Sequence, residues 1–152
     1  MKRKSFADMN CPIASSLELI GEGWSFLIIR DAFAGLKVFD DFEQSLGIAP
    51  STLTRRLNSL VDAGMLERRQ YCERPPRYEY HLTQPARDLY PVFLSLYAWG
   101  NTHILKDERS FLLIDRHTGE EVDPLMVDRQ TGVPLEEPIF RRLTAAAPDK
   151  DQ

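Results

Sequence analysis

Cysteine is scarce in this chain: Cys11 and Cys72 are the only two among 152 residues. Two thiols make no disulfide framework, so a reducing cytoplasm is the expected compartment. Long apolar runs are missing as well. The longest, Trp24 to Ile29, is interrupted by Ser25 and stopped by Arg30, too short for a membrane span. The basic start MKRKSFADMNCP is followed by no apolar stretch of the kind a secretory leader needs, and none is expected. The three histidines, His81, His103 and His117, have no metal-ligand spacing with one another or with the cysteines. Each reads as a surface or capping residue, and no metal site is expected. There is no G-x-S-x-G elbow, Walker loop or paired-cysteine motif. The acidic stretch GEEVDPLMVD lacks the regular carboxylate spacing of a calcium loop. The expectation is a non-enzyme without catalytic residues or cofactor.

What is present describes a soluble globular chain, with 43% hydrophobic and 28% charged residues. The length suits one domain, or one domain with a small appendage. The formal net charge of −4 conceals an uneven distribution. Residues 107–152 carry 6 basic and 11 acidic groups, whereas residues 50–83 carry 6 basic and 4 acidic. All six basic groups in that middle segment are arginines. An acidic tail masks a mildly basic middle, so net charge alone misleads about partners.

Apolar spacing predicts four helices ahead of a hairpin. Ile13, Leu17 and Ile20 form one stripe after Pro12, with Gly21 and Gly23 as stops. WSFLIIRDAFAGL follows with Trp24, Leu27, Ile28 and Ala32 on one face; apolar nearly all round, it reads as a central helix. Phe39, Phe42 and Leu46 turn inward on a short third helix closed by Gly47. The fourth runs from Pro50-Ser51 to Ala63, its inner stripe Leu53, Leu57, Leu60 and Val61. Ser51, Arg55, Asn58, Ser59 and Asp62 fall on its opposite side. MLERRQY and RYEYHL read as two strands joined by CERPP, the double proline at the tip. A long helix then starts at Thr83 and is expected to kink at Pro91. Its apolar surface exceeds what one helix can bury, which points to a second copy. The tail holds a weak repeat, DRHTGEEVDPL and DRQTGVPLEEP, whose D-R-x-T-G units read as turns. A short strand at VDPLMV, between the turns, would complete a small β appendage.

The order helix, helix, short helix, turn, helix, hairpin is that of a winged helix-turn-helix: mainly α with a small β-hairpin wing. In such a unit one apolar stripe anchors the second helix while its N-terminal end enters the major groove. Here the presented end is Ser51, Thr52, Thr54, Arg55 and Arg56, and Arg74 and Arg77 flank the wing tip. Arginine pairs bidentately with guanine; serine and threonine reach base edges, phosphates or the thymine methyl. The bland reading is a solvated helix whose arginines serve solubility. The alternative to a DNA binder is a ligand-binding or protein-interaction winged-helix module.

CPIASSLELIGEGWSFLIIRDAF, APSTLTRRLNSLVDAGMLERR and PPRYEYHLT together resemble the HxlR-type family of bacterial winged helix-turn-helix transcriptional regulators, from Cys11 to about His103. The resemblance implies a cytoplasmic regulator, repressor or activator. It further implies a homodimer built on the first and last long helices, reading a roughly twofold-symmetric operator in double-stranded DNA. Gly23 and Val38 stand where the family often has basic residues, and Lys37 is placed to replace one of them. Cys11 resembles the N-terminal cysteine that serves some members as an oxidant or electrophile sensor; its other reading is a thiol filling space at the dimer interface. Trp24, Phe26, Phe93, Tyr97 and Trp99 line either an effector pocket or the core and dimer interface. The tail resembles a degenerate zinc ribbon in which Thr118-Gly119 and Thr131-Gly132 replace the C-G knuckles, so its turns are expected without zinc. The expected organisation is 1–106 for DNA binding and dimerisation, 107–144 for the appendage and 145–152 for a disordered tail.

Overall fold

In the computed structural model of the chain, the described residues are 5, 6, 8–104, 109 and 111–135. The expected disordered tail at 145–152 lies outside them. Two compact units divide the chain, Met1–Leu94 and Ser95–Gln152.

The first unit is mainly helical with one antiparallel hairpin, the winged helix-turn-helix order. It holds α1 (Pro12–Ile20), α2 (Gly23–Phe33), α3 (Phe39–Leu46), α4 (Pro50–Asp62), β1 (Leu66–Glu73), β2 (Pro76–Leu82), α5 (Gln84–Arg87) and the start of α6 (Tyr90–His103). The all-round apolar character of α2 makes it the centre: Ile28 and Ile29 are fully buried, with Phe42 of α3 and Leu53 and Leu57 of α4 around them. Each such side chain contributes about 1.5–3 kcal/mol by leaving water. The stripe expected on α1 is only partly used. Ala14 and Ile20 are buried, whereas Ile13 and Leu17 stay exposed. The C-terminal end of α1 thus meets the core, and the rest of its apolar stripe is largely exposed.

The hairpin runs further toward its tip than CERPP suggested. Cys72 pairs with Arg77 and Glu73 with Pro76, after an irregularity between Gln70 and Cys72. Pro76 is tolerated because it opens β2, where no ladder donor is required of it. The connection is Arg74-Pro75, joined by a cis peptide bond. Lys37 and Val38 add a short third edge: Tyr80 N donates to Lys37 O at 2.7 Å, and Val38 bridges to Glu79.

The helix expected from Thr83 onward is broken rather than kinked, ending at Arg87 and restarting at Tyr90. Pro91 explains the break, since proline lacks the amide for the bond four residues back and clashes with that carbonyl. Thr83 takes the N-cap position, yet its hydroxyl donates to Gly64 O (2.6 Å) and Met65 O (3.1 Å), holding the α4–β1 corner.

The second unit holds the rest of α6 and two near-identical turns. Asp115 Oδ1 accepts from the amides of His117 (2.7 Å) and Thr118 (2.9 Å); Asp128 Oδ1 accepts from those of Gln130 (3.0 Å) and Thr131 (2.8 Å). Gly119 and Gly132 close the turns at φ +74 and +70, a left-handed conformation that suits glycine. One bridge flanks each turn, Ile114 with Glu121 and Val127 with Pro134. Between them 122–126 forms no strand: Val122 N donates to Leu113 O (2.9 Å) and Met126 O accepts from Leu135 N (3.0 Å), one bond at each end rather than a continuous ladder.

Candidate nucleic-acid interface

The α3–α4 turn is set by two residues. Gly47 ends α3 in the left-handed region (φ +59), and Ile48, 4% exposed, pins the turn to the core. Pro50 opens α4 behind Ala49, which offers no side-chain cap. The first amides of α4 are therefore free of a side-chain acceptor, the arrangement that favours a phosphate at a helix start.

The buried stripe of α4 fixes what faces outward. Leu53, Leu57 and Leu60 are at most 1% exposed, while Ser51, Thr54 and Arg55 are exposed and Thr52 is half-buried. Thr54 Oγ1 donates to Pro50 O at 2.9 Å, leaving its oxygen lone pairs outward as acceptors. No described residue makes an ion pair with Arg55. Arg56 differs from its neighbour. Its Nη2 lies 2.9 Å from Glu22 Oε1, at the start of α2. Sequence reading grouped Arg56 with Arg55; a turn of 100° per residue puts it about 60° from Leu53, on the flank of the buried stripe.

On the wing, Arg74 and Arg77 are exposed near the tip. Arg77 also lines an open groove of about 520 Å³ together with Asp40 and Asp41. Lys37 is exposed at the β2 edge. The remaining wing arginines are engaged within the hairpin. Arg68 lies over the Tyr78 ring, 4.6 Å from its centroid, a diagonal cross-strand contact that the alternation of RYEYHL did not single out. Arg69 pairs with Glu67 at 2.7 Å and, by that hydrogen bond, holds the Glu67 carboxyl below its ordinary range. Burial raises the Tyr80 phenol, with the Arg68 guanidinium pulling the other way.

The aromatic candidates are divided between the two units. Phe26 and Phe93 stack in the first unit, centroids 3.9 Å apart at 14°, ring against ring with no space between. Trp24 is half-buried against the same core. Tyr97 and Trp99 belong to the second unit, where Tyr97 Oη donates to Glu121 at 2.9 Å and Trp99, 54% exposed, lies beside His103. Cys11 is exposed at the N-cap of α1, and Cys72 is half-buried in the wing. Among the described residues no three His, Cys, Asp or Glu side chains gather as a metal site, and no helix is long and apolar enough to cross a membrane.

The model of the HxlR-like helix-turn-helix matches residues 19–108. An HTH-type transcriptional regulator of Mycobacterium tuberculosis is 37% identical over 121 residues, covering 79% of this chain and 77% of that protein. Among solved structures, the transcription factor PA1607 superimposes with a TM-score of 0.79 at 35% identity, over 91% of this chain and 100% of that one. PA1374, a transcription factor from Pseudomonas aeruginosa, is 47% identical with a TM-score of 0.64, over 91% and 96%.

Proposed function

This chain belongs to the HxlR-like helix-turn-helix family, whose similar members are named transcriptional regulators, and from that premise we propose that it binds specific duplex DNA as a homodimer. One observation carries the reading. A helix anchored by three fully buried leucines presents Ser51, Thr54 and Arg55 outward at its N-terminal end, and the wing carries an exposed Arg74. Ser51, Thr52, Thr54 and Arg55 read base edges in the major groove; Arg74, Arg77 and Lys37 hold phosphates. Exposed Ile13 and Leu17 on α1 and, separately, Leu96 and Trp99 on α6 supply apolar area for a second copy. Two recognition helices then read a pseudo-palindromic operator. Exposure at a helix N-cap also supports Cys11 as an oxidant-responsive thiol rather than buried filler. The domain assignment 1–106 for binding and dimerisation, with 107–144 as accessory, belongs to the same proposal. No catalytic step is assigned.

The test is a titration of the purified protein on duplex fragments, including its own promoter region, at two salt concentrations. Tight, salt-sensitive binding to one fragment supports the reading. Equal weak binding to all fragments would favour the protein- or ligand-binding alternative. Truncation after residue 106 is expected to preserve half-site recognition; its loss would put the appendage inside the binding unit.

A further inference from the structure

We propose that Glu22 and Arg56 form a positioning pair that fixes the rotation of α4, and that Arg56 is not itself a DNA ligand. The proposal rests on the DNA-binding reading above. Arg56 Nη2 meets Glu22 Oε1 at 2.9 Å, with the two side chains 22% and 27% exposed. The contact is end-on, and the far sides of both groups are enclosed: Arg56 Nε and Glu22 Oε2 are buried with no hydrogen-bond partner among the described residues. An arginine whose Nε is packed inside the protein cannot swing its guanidinium to a phosphate without unpacking its stem. Doing so would also leave a half-buried carboxylate without its counter-charge, a costly state. Arg55, one residue earlier, has no such tie among the described residues and is exposed. The two adjacent arginines therefore have different tasks.

The need for such a pair follows from how α4 is held. Its anchor is a smooth leucine stripe, which resists removal of the helix more strongly than small rotations about its axis. A rotation of about 20° carries a side-chain tip 5–6 Å from the axis by roughly 2 Å, enough to spoil a bidentate base contact. Glu22 is a suitable fixed point. It is the N-cap of α2, with its carbonyl accepting from Ser25 N (3.0 Å) and Phe26 N (3.3 Å), and α2 is the central helix. A directional charge contact on the flank of the stripe thus sets where Thr54 and Arg55 point.

The test uses the full-length protein and a duplex that the wild type recovers from a random-sequence pool. Affinity is measured across a salt series for wild type, Glu22→Gln, Arg56→Gln and the double variant, with unfolding midpoints recorded beside them. Each single change is expected to weaken binding by roughly tenfold, and the double change by no more than either alone. The slope of log affinity against log salt should stay that of the wild type, and base preference under α4 should relax. Glu22→Asp, which keeps the charge and shortens the reach, covers the case in which a neutral variant does not fold; it should weaken binding with the slope unchanged. A slope reduced by about one per recognition helix in Arg56→Gln would make Arg56 a phosphate ligand and overturn the proposal. Tighter binding by Glu22→Gln, or additive losses in the double variant, would overturn it too. A wild type that enriches no duplex would sink the DNA-binding reading and this proposal together, whereas the other failures leave that reading standing.

Discussion

Asp31, 1% exposed on α2, accepts a 2.7 Å hydrogen bond from Ser45 Oγ on α3 and two more from Arg30, at 2.8 and 2.6 Å. A buried carboxylate with three donors on it joins the central helix to the first helix of the helix-turn-helix. Taking the carboxylate away leaves the Arg30 guanidinium without this partner and Ser45 without its acceptor. Asp31→Ala should therefore cost about 3 kcal/mol. Ser45→Ala, which leaves the Arg30 contact intact, should cost about 1 kcal/mol. Urea unfolding of both variants measures the difference; equal losses would mean that Ser45 carries the whole link.

Arg55 and Arg74 are both exposed, yet they are expected to fail in different ways. Arg55 stands on the outer side of α4, the side that the proposal gives to base edges. Arg55→Ala should cut discrimination between the selected duplex and its single-base variants by about 1–3 kcal/mol. Arg74 stands at the wing tip, the position that the proposal gives to backbone contact. Arg74→Ala should weaken all duplexes alike and lower the salt slope by about one. Competition titrations against a panel of single-base variants separate the two; a sequence-dependent loss in Arg74→Ala would move the wing into base reading.

Much of this architecture was legible because it follows from periodicity. The stripe Leu53, Leu57, Leu60 and the alternation Tyr78, Tyr80, Leu82 need only the helical and strand repeats, and the structure places α4 and β2 on them. The tasks of the arginines were less legible. Six of them crowd one segment, but Arg56 pairs with Glu22, Arg68 with Tyr78 and Arg69 with Glu67. Composition counts charges, whereas pairing depends on which residue lies opposite. The Glu22 contact spans thirty-four positions, so no local pattern encodes it. The break before Tyr90 was readable as a kink at Pro91; the choice between kink and break depends on the backbone around Asp88 and Leu89.

The twin turns of the second unit make a pH prediction. Backbone amides, Thr118 N first for Asp115 and Thr131 N first for Asp128, donate to the carboxylates and lower both below the ordinary aspartate value. A carboxyl depressed in the folded state stabilises fully above its unfolded value. That stabilisation is lost as pH falls through the depressed folded value. The turns should hold from neutral pH down to about pH 4 and open below it. Amide exchange at Gly119 and Gly132 reports this directly. In Asp115→Asn the acid step should vanish from the first turn and persist in the second; its persistence in both would assign it to Glu121, whose carboxyl is lowered chiefly by its bond from Arg109.

Gly47 joins the fold to the recognition surface, and its substitution tests both. At φ +59 it ends α3 in a conformation that L side chains rarely adopt, while a Cβ built there meets nothing within 4 Å. Crowding is therefore not the obstacle; the backbone conformation is. Gly47→Ala should cost about 1 kcal/mol, the penalty for a left-handed alanine. If the chain instead relaxes the turn to avoid that cost, α4 shifts relative to α3, and DNA affinity falls by more than stability does. A variant that loses about 1 kcal/mol in urea and keeps its duplex affinity shows a turn held rigidly by Ile48 against the core. A variant that keeps its stability and loses affinity shows that Gly47 sets the approach of the recognition helix.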